Sequence, residues 1–106
     1  MTEIVVGADE NRRHIGVATG DSLRIVLPEH RVGFRWQVEP SSLQGVSALR
    51  LQSVDHLSEG GKASSRLRVF RFSAETPGQA TLRLELAPAW NGETASETFI
   101  ITVDVR

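Results

Sequence analysis

Apolar and polar residues alternate with a period of two over most of the chain, and no stretch carries a convincing helical period. In Ser22–Leu27, Leu23, Ile25 and Leu27 fall on one face and Ser22 and Arg24 on the other. Phe34–Glu39 repeats the pattern with Phe34, Trp36 and Val38. Leu67–Ala74 sets Phe70 and Phe72 against Arg71 and Ser73. The cleanest alternation is Ala80–Leu86, matched by Phe99, Ile101, Val103 and Val105 of Glu97–Val105. Glu3–Val6 and His14–Thr19 are shorter strand candidates. Ser47–Leu57 is less regular: Leu49, Leu51 and Ser53 alternate with Arg50 and Gln52, and a short helix is a second reading.

Turn-forming clusters separate these segments, among them Gly20-Asp21, Pro28, Pro40-Ser41-Ser42, the run from Ser58 to Ser65, Pro77-Gly78 and Asn91-Gly92. Asn-Gly is the strongest short hairpin signal in the chain. A two-residue turn there pairs Trp90 with Glu93 and, counting back, Leu84 with Phe99 and Leu82 with Ile101. The apolar faces then coincide, whereas a slip of one residue would turn one of them into water. Seven to eight short strands in about 100 residues predict an all-β fold, an immunoglobulin-like antiparallel β-sandwich forming one domain over residues 1–106. A small closed barrel is the alternative.

Composition narrows the function. The chain is 40% hydrophobic and 24% charged, with a formal net charge of −1. That balance gives no electrostatic footprint for nucleic acid or an anionic membrane. Lys62 is the only lysine, so the positive charge is nearly all arginine. With no cysteine, disulfides, thiolate metal sites and cysteine nucleophiles are excluded. The N-terminus lacks the basic and apolar regions of a signal peptide and no run reaches membrane-spanning length. A cytoplasmic protein is expected, or an exported one whose signal has been removed, and a monomer in either case.

Catalytic signals are weak. His14, His30 and His56 are dispersed, which argues for surface histidines rather than a zinc site. Asp55 and His56 are adjacent on a strand and point to opposite faces. No G-x-S-x-G elbow is present, and Gly60-Gly61 lacks the Lys-Ser/Thr of a phosphate loop. No enzyme, cofactor or metal is predicted. Of the two tryptophans, Trp36 is in phase with a strand core. Trp90 sits at a strand tip, either as an interface anchor or as a cap on the open end of the sandwich.

Three segments between strands carry a resemblance. Leu27-Pro28-Glu29-His30-Arg31-Val32-Gly33-Phe34-Arg35-Trp36 ends in Gly-Phe-x-Trp; Ser58-Glu59-Gly60-Gly61 carries a glycine pair; and Pro77-Gly78 leads through an alternating strand to Pro88-Ala89-Trp90. In this order they resemble the chagasin-like inhibitors of papain-family cysteine peptidases, from about Gly20 to the C-terminus. The family pattern is kept at Gly33, Phe34, Trp36, Gly60, Gly61 and Trp90. It is altered at Glu29-His30-Arg31-Val32, at Ser58 and at Pro88-Ala89.

The resemblance implies inhibition by steric occlusion: three loops at one end of the sandwich enter the peptidase cleft. His30, Arg31, Val32 and Gly33 of the first loop, Gly60 and Gly61 of the second and Trp90 of the third are the implied contact residues. Gly33 lacks a Cβ and so lets backbone approach a catalytic centre. The competing expectation is an immunoglobulin-like interaction module that has lost inhibition and binds through a sheet face or edge.

Overall fold

A computed structural model describes residues 2–29, 33–43, 47–58, 66–88 and 97–106, and in it the alternating segments form eight strands in two sheets. They are β1 (Glu3–Val6), β2 (His14–Val17), β3 (Ser22–Pro28), β4 (Phe34–Val38), β5 (Leu49–Ser58), β6 (Arg66–Ala74), β7 (Gly78–Pro88) and β8 (Glu97–Val105). One sheet has the order β1-β3-β6-β5 and the other β2-β8-β7-β4. Helical structure among the described residues amounts to two 3-10 turns, Ala8–Glu10 and Pro40–Ser42.

Period-two patterning sets the layers. The predicted faces of β3, β7 and β8 are the buried ones, with Leu23, Ile25, Leu27, Leu82, Leu84, Leu86, Phe99, Ile101 and Val103 at 0–2% exposure. They meet Phe70 and Phe72 of β6 and Trp36 of β4 in one cluster spanning both sheets. The β7–β8 register is the one that the Asn-Gly turn predicts: Leu82 faces Ile101 and Leu84 faces Phe99.

Three features go beyond the sequence reading. The N-terminal strands break the antiparallel pattern: β1 runs parallel to β3, and β2 parallel to β8. The chain crosses between sheets after β1 through the 3-10 turn, where the Gly7 amide donates to Glu10 Oε2 at 2.9 Å. It turns back at Gly20, whose φ of +95° suits glycine. There the Asp21 carboxylate accepts the amides of Ala18 and Thr2, which hold it below the usual aspartate range.

The segment that admitted a helix is strand β5, with a register shift between Leu51 and Ser53. Leu49 and Leu51 lie opposite the inward residues Ala74 and Phe72, but Ser53 lies opposite the outward Arg71. Ser53 therefore does not continue the inward face, because the irregularity resets the two-residue phase. Finally, Pro28 does not end β3 early. It remains paired with Leu67, since a missing N–H costs a ladder little at the last position of a strand.

Candidate functional site

The registers place the roots of three connections at one end of the sandwich. Pro28 pairs with Leu67, Ser58 with Arg66, Phe34 with Pro88 and Leu86 with Glu97. The connections from β3 to β4, from β5 to β6 and from β7 to β8 all leave from and return to this end. Of the sequence-predicted contact residues, Gly33 is described. His30, Arg31, Val32, Gly60, Gly61 and Trp90 lie outside the described residues. Gly33 has φ +82°, where an L side chain is strained, so the glycine is required by the backbone just before β4.

Beneath the first connection lies a buried ion pair. Glu29 is one step beyond β3 and continues its inward column of Leu23, Ile25 and Leu27; it is 4% exposed. Arg68 continues the inward column of Phe72 and Phe70 on β6 and is 17% exposed. The guanidinium donates from Nε to Glu29 Oε2 at 3.0 Å and from Nη2 to Oε1 at 2.8 Å. The amide of Trp36 adds a third donor to Oε2 at 3.0 Å.

Burial opposes the charge on Glu29. The hydrogen bonds from Arg68 and Trp36 and the positive charge of Arg68 outweigh it, holding the carboxyl below the usual glutamate range. The amide of Glu29 also donates to the Arg66 carbonyl at 2.9 Å, and Trp36 Nε1 donates to the Pro28 carbonyl at 2.8 Å. Both ends of the first connection are thus tied to each other and to the root of the second. Such a pair is a positioning device more than a source of net stability, since desolvation consumes most of the Coulombic gain.

Two depressions lie near the root of the first connection. A polar cleft of about 370 Å³ is lined by Glu29, Gly33, Phe34, Arg35, His56, Arg66 and Arg68. His56 Nε2 stands 3.8 Å from Glu29 Oε1. A hollow of about 300 Å³ opens among Leu27, Pro28, Trp36, Phe99 and neighbouring residues.

Residues 16–103 match the family described as "Chagasin family peptidase inhibitor I42". The chain belongs to the chagasin family. The match spans the three roots and the clamp, and members of this family are peptidase inhibitors rather than enzymes. No curated protein matches the sequence.

Solved structures of similar fold include a cysteine protease inhibitor of Entamoeba histolytica, EhICP2. It is 16% identical over 100% of this chain and 97% of that one, with a TM-score of 0.80. Amebosin is 19% identical over 98% of each chain, with a TM-score of 0.75. PbICP-C, in a structure titled as its complex with falcipain-2, is 13% identical over 98% of this chain and 89% of that one, with a TM-score of 0.57. At these identities the likeness establishes the shared sandwich.

Within this chagasin-family chain the described side chains assemble no catalytic centre. Among the described residues no serine hydroxyl is hydrogen-bonded to a histidine, and no group of His, Asp and Glu is disposed to hold a metal ion. His14 pairs with Asp104 on the β2–β8 edge, where Gln79 also reaches the carboxylate. The hydrogen bonds from His14 and Gln79 hold Asp104 below the usual aspartate range.

The sequence reading missed Glu29 and Arg68 as partners, although a signal was present. Each sits two residues past the last apolar position of an inward column, so period two aims both charges into the same space.

Proposed function

We propose that this chagasin-family chain is a reversible inhibitor of papain-family cysteine peptidases, acting by filling the active-site cleft with the three connections at one end of the sandwich. The observation that carries the reading is the convergence of the three roots on one end, with the first tied down by Glu29, Arg68 and Trp36. A root held this way keeps the ordering cost of docking small, the condition under which a rigid wedge binds tightly. The structure of PbICP-C with falcipain-2 is consistent with a peptidase as the kind of partner.

In this reading His30, Arg31, Val32 and Gly33 approach the peptidase nucleophile, Gly60 and Gly61 lie along one wall, and Trp90 packs on the other. No bond is made or broken; access to the cleft is blocked. Titration of papain activity with the protein tests it. Saturable loss of activity with a stoichiometric endpoint is expected, and full activity at micromolar inhibitor would overturn the proposal.

A further inference from the structure

The polar cleft beside the first connection is unevenly charged. Arg68 is engaged by Glu29, so that pair is neutral as a unit. Arg35, exposed at the start of β4, and Arg66, half-buried at the start of β6, line the same cleft. Neither forms an ion pair with a described residue. His56 lines the same cleft, with its Nε2 3.8 Å from Glu29 Oε1.

The sequence extends this asymmetry. Residues 29–35 and 56–68 carry five arginines and lysines against two glutamates, in a chain whose net charge is −1. The connection from 88 to 97 carries two glutamates and no cation. The loop-bearing end is thus basic on its first two connections and acidic on its third.

We infer that the cleft lined by Arg35, Arg66 and His56 is a receptor for carboxylate side chains on the cleft lip of the target peptidase. This deepens the inhibitor reading and rests on it for the identity of the partner. Guanidinium forks match carboxylates in a planar, two-bond geometry that lysine cannot copy. The site lies beside the root of the wedge, so a carboxylate reaching it belongs to the rim of the target. Its contribution is expected in partner choice and association rate more than in total affinity. The acidic third connection would repel a carboxylate on the opposite lip, which fixes the orientation of the wedge.

Two measurements test this. The first needs no peptidase: the peptide acetyl-Asp-Glu-Asp-amide is titrated into the isotope-labelled protein, with acetyl-Asn-Gln-Asn-amide as control. Saturable amide shifts at Gly33, Arg35, His56 and Arg66 are expected with the acidic peptide alone. They should vanish in the double variant Arg35→Gln/Arg66→Gln while the rest of its spectrum stays native. No shift, or the same shift with the control peptide, overturns the inference.

The second compares a papain-family peptidase bearing Asp or Glu on its cleft lip with the same enzyme after their change to Asn or Gln. The wild-type chain is expected to bind the acidic enzyme about tenfold tighter at low salt, with the preference lost in the double variant. Equal binding to both enzymes by the wild-type chain overturns the inference. If neither enzyme is inhibited at all, the inhibitor reading fails and the peptide titration alone decides the receptor.

Discussion

Arg68 holds Glu29 through two hydrogen bonds, 3.0 and 2.8 Å long, at the point where the apolar columns of β3 and β6 run out. Removing one partner leaves the other charged and buried. Glu29→Gln or Arg68→Met is expected to lower stability by about 3 kcal/mol. The double change Glu29→Leu/Arg68→Met should recover most of that loss, because apolar groups of similar size can replace such a pair. If the clamp positions the first connection, the double variant will still bind peptidase less well than wild type. Urea denaturation midpoints and inhibition constants measured on the same samples check both points.

Acid should unfold the protein partly through the same residue. The folded-state pKa of Glu29 is depressed, so its stabilisation is complete above its unfolded value of about 4.3 and fades as pH falls through the lower folded value. Asp21 and Asp104 act in the same direction, Asp21 through the amides of Ala18 and Thr2 and Asp104 through His14 and Gln79. Thermal melts from neutral pH down to about pH 3 should therefore show a falling melting temperature. The fall should be shallower in Glu29→Gln, and the difference between the two curves isolates the glutamate.

Gly33 separates backbone strain from occlusion. At φ +82° any Cβ is strained, so Gly33→Ala should cost about 1 kcal/mol of stability. Gly33→Asn, which tolerates this region better, should cost less. Gly33→Glu adds bulk and charge at the wedge, and its inhibition constant should rise well beyond that of Gly33→Ala. Equal inhibition by the two variants would remove Gly33 from the contact surface.

Trp90 distinguishes anchor from cap. Under the proposed function Trp90→Ala weakens inhibition by about one to two orders of magnitude and leaves the denaturation midpoint unchanged. A lowered midpoint with unaltered inhibition would instead assign the ring to the end of the core.

The fold was legible where burial enforces one period. In β7 and β8 one face is in the core along the whole length, so the Asn-Gly turn and the alternation together predict Leu82 opposite Ile101 and Leu84 opposite Phe99. It failed in β5, where one register shift between Leu51 and Ser53 breaks the phase and no residue type announces the irregularity. The parallel pairing of β1 and β2 was hidden for another reason: a four-residue strand carries the same pattern whichever way its partner runs. In the site, Gly33 was visible as a motif residue. Pro28 marks the end of the Ser22–Leu27 pattern, which leaves Glu29 in the loop by sequence. In the fold phase governs, and the cost of placing the charge inward is offset by Arg68.

The terminal strands also bear on how the chain withstands being pulled. Because β2 lies parallel to β8 from His14–Thr102 to Val17–Val105, tension that draws the start of β2 away from the end of β8 loads those ladder bonds together, in shear. An antiparallel pair drawn from one end would open bond by bond. End-first unravelling of this pair therefore requires several ladder bonds to break at once rather than in turn.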